Sequence, residues 1–245
     1  MNLRLLVLLL AGGLLQADSL SDLKDTLSRL NGQEPVKASV DYQFWSKQGD
    51  EKKPVITEGR ATTFVEDGPQ GLKMSWSRAL IQTALQEAKA QAKDPELKDA
   101  TRRAIQGLRA LMVSDYLNGA EDLLQTLEQG QLTGETSEAW QAKPAKLLQF
   151  KITPKLSKQN QKYVKELEAT AKVWIGADGI PLALETQMHM KGRAMLVISF
   201  EQREKAAFHF TRIGNRLVVV HHARESSNSG GGERGESKTV VTLHL

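Results

Sequence analysis

The feature that most constrains this chain is the alternation of its second half. From Gln131 to Leu245 apolar residues recur at every other position, in Ala169, Ala171, Val173 and Ile175, then in Leu182, Leu184, Met188 and Met190. The pattern continues through Leu196, Ile198 and Phe200, through Phe208 and Phe210, through Leu217 and Val219, and through Val241, Leu243 and Leu245. Successive strand side chains point to opposite faces, so each run has one apolar and one polar face. Trp140 to Pro144, Gly176-Ala177-Asp178-Gly179 and Gly214-Asn215 separate the runs, and the last suits a two-residue hairpin loop. With no helical pattern between them the strands cannot be joined by parallel crossovers. The expected fold is therefore α+β, built on a curved antiparallel sheet or incomplete β-barrel.

The first half supplies the helices. Leu20, Leu23, Leu27 and Leu30 fall at three- and four-residue spacing, with Ser19 to open the helix and Asn31-Gly32 to end it. Strands follow over Val36 to Phe44, Val55 to Glu66 and Leu72 to Trp76, with Asp67-Gly68-Pro69 as a turn. Residues 78–129 return to helical spacing, with one stripe over Ile81, Leu85, Ala88 and Ala92 and another over Leu97, Thr101, Ala104, Leu108 and Leu111. A third piece covers Ser114 to Gln129 and is weakened at Asn118-Gly119. Stripes this apolar must bury a face, and the sheet is the natural surface for them. The expectation is a helical insertion over the concave side of the sheet.

The densest apolar stretch is residues 1–17, with Arg4 before an apolar run from Leu5 to Leu15 and Ala17 at the end. That is the pattern of a cleaved secretory signal, shorter than the ~20 apolar residues of a membrane span. The expected remainder, 18–245, is one exported domain, periplasmic or secreted. The chain has 33 basic and 29 acidic residues and no cysteine. Disulfides, thiol catalysis, cysteine zinc sites and a lipid-bearing N-terminal Cys are excluded.

Several segments resemble the periplasmic lipoprotein-localisation carriers and their wider superfamily. They are Ser21-Asp22-Leu23-Lys24, Ala38-Ser39-Val40-Asp41-Tyr42-Gln43, Glu58-Gly59, and Lys172-Val173-Trp174-Ile175 followed by Ala177-Asp178-Gly179-Ile180-Pro181. The resemblance implies an incomplete barrel closed by helices over an apolar cavity for acyl chains. It departs in two places. The carriers have a basic residue where Val65-Glu66-Asp67-Gly68 is acidic, and their helical stretch is shorter than 78–129.

No catalytic constellation is present: neither G-x-S-x-G nor H-E-x-x-H occurs. Glu58, Glu66, Glu166, Glu168 and Glu185 alternate with apolar residues as solvated sheet faces do. Gly230 to Gly235 satisfies G-x-G-x-x-G in letters, but it follows Ser226-Ser227-Asn228-Ser229 and leads into a strand, so 226–237 is expected to be a flexible loop. Met188-His189-Met190, near Met195, places its histidine on the opposite face from its methionines, and His221 and His222 likewise diverge. Neither group makes a metal site, and no cofactor is expected.

These observations lead to a non-enzymatic protein that binds or carries a lipid or lipid-modified protein in an apolar cavity. The expected lining is Leu72, Met74, Trp76, Val173, Ile175, Leu184, Met188, Met190, Ile198 and Phe210. Lys143, Lys146, Lys151, Lys155, Lys158, Lys162 and Lys165 occur with no acid among them, a candidate contact for anionic headgroups, a membrane surface or an envelope protein. Nucleic acid is not an expected partner in that compartment. The competing expectation is a structural, protein-interaction or sensor module in which the helices fill the concavity.

Overall fold

The computed structural model describes residues 19–50, 52–194 and 198–245; the expected leader over 1–17 and Met195 lie outside the described residues. The chain enters as a helix over 19–29 (α1) and then forms β1 (Val36–Gly49), β2 (Val55–Asp67) and β3 (Lys73–Ser75). It leaves the sheet for α2 (Arg78–Lys93), α3 (Ala100–Gly107), α4 (Ala110–Leu117) and α5 (Gly119–Glu128). It returns as β4 (Gly130–Trp140) and β5 (Lys143–Ile152), and a short α6 (Lys158–Gln161) precedes β6 (Val164–Gly176). A long meander completes the chain: β7 (Pro181–Ala194), β8 (Ile198–Ile213), β9 (Arg216–Gly230) and β10 (Glu233–His244).

All ten strands belong to one antiparallel sheet in the order β3-β2-β1-β10-β9-β8-β7-β6-β5-β4, with β3 and β4 as its edges. The helical excursion therefore carries the chain from one edge of the sheet to the other. The last strand then closes the gap beside the first, with Val40 opposite Leu243 and Tyr42 opposite Val241. The protein is α+β, and its sheet is an open half-barrel, as the alternation requires.

Helices and sheet meet in one core. Leu23, Leu27 and Leu30 of the first helix and its end, with Val113, Tyr116, Leu117, Leu123 and Leu127 of α4 and α5, are buried against Val40, Val65, Leu148, Val173, Leu184, Leu217, Val219 and Val241. Each such side chain contributes about 1.5–3 kcal/mol relative to an exposed one. A smaller cluster, Ala145, Leu147, Trp174 and Ala183, lies on the opposite, convex face with Trp140 and Leu182 packed on it.

Three expectations are corrected. The helix expected over 114–129 is two helices, because Asn118 has φ −123° and ψ 44°, outside the helical range, and its amide donates to Ser114 O at 2.9 Å. The adjoining Gly119 sits so near β9 that a Cβ there would stand 3.0 Å from Val219. The loop expected over 226–237 is strand on both sides of a Gly231-Gly232 turn, both glycines having positive φ. Pairing to β8 on one side and β1 on the other fixes these residues, whose own preference is for turns. The stripe of α2 does not rest on the sheet: α2 packs on α3, Ala84 is its one buried residue, and Ile81 and Leu85 are exposed.

The α2–α3 pair is held by its helix ends. Ser77 Oγ accepts from Leu80 N at 3.2 Å to open α2. Glu87 of α2 then accepts from the N–H groups of Thr101 and Arg102 at 2.9 and 3.1 Å, capping α3 across the hairpin. Burial opposes the ionisation of Asp99, yet hydrogen bonds from Arg103 and Arg102 hold its carboxyl below the ordinary range.

Candidate binding trough on the concave face

Two halves of the concave face differ. Near α4 and α5 the face is filled, and Tyr116, Leu117, Leu123 and Leu127 leave no room above Val173, Leu184, Phe210 and Val219. Farther along β6 to β10 the same face continues with side chains that are only half-buried, among them Leu167, Met188, Met190, Gln202, Glu204, Ser226 and Ser237. Strand register sets them side by side: Leu167 opposite Met190, Ala169 opposite Met188, Met190 opposite Gln202, and Met188 opposite Glu204. On the other flank Glu204 faces Ser226 and Ser226 faces Ser237. The result is a trough with an apolar wall from β6 and β7 and a polar wall from β8, β9 and β10.

Aromatic groups mark both ends. At the filled end Phe208 stacks on His222, with ring centroids 4.3 Å apart and planes 11° from parallel. Tyr116 Oη and His222 Nδ1 share a hydrogen bond of 2.7 Å, which ties α4 to the sheet. Burial pushes the His222 pKa down to about 4, with the charges of Arg224 and His221 adding to the effect, so the imidazole is neutral at neutral pH. Burial likewise raises the Tyr116 phenol. At the far end Phe200 is paired with Gly192 and with Gly230. A Cβ at Gly192 would stand 2.3 Å from both the Phe200 ring and Tyr163 O, so only glycine fits between them.

The polar wall is internally neutralised. Arg224 donates to Glu204 Oε2 at 2.6 Å, and the Ser226 and Ser237 hydroxyls are 2.8 Å apart. Such a surface can hold an apolar chain on one side and hydroxyl or amide groups on the other. Among the described residues no group of three or more His, Cys, Asp or Glu is placed to hold a metal ion, and His189 turns to the convex face, 2.7 Å from Glu201 Oε1.

The residues expected to line a cavity are distributed over three places. Val173, Ile175, Leu184 and Phe210 are in the packed core. Leu72 and Met74 pack against that core at the β3 edge, and Trp76 just beyond has a buried indole N–H without a hydrogen-bond partner. Met188 and Met190 stand in the trough, with Ile198 past Phe200 and 40% exposed. Glu204, Arg224, Ser226 and Ser237 were not in the expected set. Counting outward from the Gly214-Asn215 turn misses them by one residue, because the β8–β9 ladder shifts register between His209 and Phe210, and only the shifted ladder sets Arg224 opposite Ala206 and Ser226 opposite Glu204.

The lysine run does not form one surface. Lys143 and Lys151 share the convex side of β5, whereas Lys146 points the other way and lies 3.1 Å from Glu135, donating also to Ser19 Oγ at 2.9 Å. Lys155, Lys158, Lys162 and Lys165 are exposed around α6, with Lys162 Nζ 4.8 Å from the Tyr163 ring centroid. Open grooves lie elsewhere, among them one of about 380 Å³ beside the start of α1, lined in part by Asp22, Thr26 and Lys146, one of about 570 Å³ lined in part by Trp45, Glu58 and Thr101, and one of about 530 Å³ lined in part by Tyr42, Thr62 and Leu80.

The chain matches no family model and no curated protein. Among solved structures it is similar to a domain from Vibrio parahaemolyticus assigned provisionally to outer membrane lipoprotein sorting. The identity is 11%, 94% of each chain is covered, and the TM-score is 0.29.

Proposed function

We propose that this is an exported protein of the cell envelope that binds or carries a lipid, or the acyl chains of a lipid-modified protein, in the half-buried trough, without chemical turnover. The observation that carries the reading is the apolar row Leu167, Ala169, Met188 and Met190 running beside a neutralised polar row on one concave surface. An acyl chain laid on the methionines removes apolar area from water at about 25 cal/mol per Å², and thioethers adapt to chains of different shape. Native mass spectrometry of protein purified from an exporting host tests the reading. Co-purified acyl species support it, and a bare polypeptide mass overturns it.

A second reading is supported by the packed end of the face. Tyr116, Leu117, Leu123 and Leu127 fill the position where a carrier would keep its deepest cavity, which suits a structural, interaction or sensor module. A bare mass together with a partner protein retained on immobilised full-length chain would favour it.

A further inference from the structure

The α2 helix has an apolar strip that the fold leaves bare. At about 100° per residue, Leu80, Ala84, Glu87 and Gln91 share the side turned to α3. The assignment agrees with the burial of Ala84, with the capping of α3 by Glu87, and with the Arg102 Nη2 to Gln91 Oε1 hydrogen bond of 3.1 Å. The adjoining quadrant carries Ile81, 38% exposed, and Leu85, 56% exposed, together with Ala88 and Ala92. Next around the helix come Arg78, Lys89 and Lys93, all exposed.

Charge decides what covers the strip. The only acid of α2, Glu87, is spent on α3, so every exposed charge of the helix is positive. A second copy of this helix would bring like charges together, whereas an anionic surface would be attracted to the basic row while the strip enters the headgroup boundary. Apolar residues flanked by lysine and arginine form the pattern of a helix lying in a membrane interface. No helix among the described residues is long and apolar enough to cross a membrane, so the contact is with the surface.

We infer that α2 docks this protein on an anionic phospholipid surface through Ile81 and Leu85, with Arg78, Lys89 and Lys93 at headgroup level. The site is separate from the trough and does not depend on its ligand.

Flotation of the full-length protein with phosphatidylglycerol–phosphatidylcholine vesicles tests the inference. Wild type floats with these vesicles, floats far less with pure phosphatidylcholine, and is released as salt is raised. Ile81→Ser with Leu85→Ser, both already exposed, lowers the bound fraction about tenfold or more with an unchanged far-UV spectrum, and Lys89→Gln with Lys93→Gln does the same. Failure of wild type to bind overturns the inference, and so does equal binding by both double variants. Loss of binding only on Lys155→Glu, Lys158→Glu and Lys162→Glu would move the contact to the α6 segment. A dimer that Leu85→Ser dissolves, without vesicle binding, would assign the strip to a second copy.

Discussion

Arg216, at the first position of β9, reaches Asp67 at the last position of β2, although two strands separate them in the sheet. Only 2% of Arg216 is exposed, and its other donors go to Leu117 O at 2.7 Å, Glu34 O at 2.9 Å and Asn118 Oδ1 at 3.2 Å. One guanidinium thus joins the α4–α5 junction, the approach to β1 and both halves of the sheet. Breaking it by Arg216→Met leaves Asp67 and two carbonyls short of a donor. We expect a loss of about 3–5 kcal/mol in urea unfolding. Arg216→Lys restores little of it, because an ammonium lacks the planar fork that these acceptors require. A Lys variant as stable as wild type would show that charge alone holds the joint.

Gly59 sits where α3 begins. A Cβ at this position would lie 2.3 Å from Ala100 O and 2.7 Å from the Phe44 ring. Gly59→Ala therefore has to push α3 off β2, at a cost of about 1–3 kcal/mol. The expected signature is faster proteolysis within 94–99 before any loss of strand signal. Phe44→Leu will not rescue the variant, because the tighter contact is with backbone.

The strands were legible because alternation is imposed by burial on one face, and β1, β2, β6 and β7 fall where it places them. The stretch from Ser226 to Gly235 was not, since serine, asparagine and glycine favour turns, and only the neighbouring strands make it a ladder. The stripe Ile81, Leu85, Ala88 and Ala92 was visible, but a stripe does not name the surface that covers it. The same ambiguity governed the site. Val173 and Leu184 alternate as Met188 and Met190 do, and only the position of α4 and α5 separates packed core from open trough.

His222 makes the fold acid-sensitive. Its folded pKa, about 4, lies below the ordinary 6.5, so its contribution is fully present above pH 6.5 and is lost as pH falls through 4. His222→Gln can still accept from Tyr116 but has no proton to gain. The stability advantage of wild type over this variant should shrink by about 2–3 kcal/mol between pH 7 and pH 4. A pH-independent difference in paired urea titrations would mean that the ring is solvated.

The trough reading stands or falls on its floor rather than on the core beneath the helices. Ala169 is 8% exposed and faces Met188 across the β6–β7 ladder, so Ala169→Trp would occupy the space an acyl chain needs. Met188→Glu would set a carboxylate beside Glu204, its cross-strand neighbour on the same face, where like charges repel. Met188 is half-buried, and the ring added at buried Ala169 costs about 1–3 kcal/mol of overpacking, so both variants should stay folded while displacement of a fluorescent fatty acid weakens about tenfold or more. Leu184→Ala provides the contrast. It empties part of the packed core and should cost about 2–5 kcal/mol, yet at a temperature where it stays folded it should bind the probe as wild type does. If Leu184→Ala loses the probe while Ala169→Trp keeps it, the ligand enters beneath α4 and α5, and those helices must move to admit it.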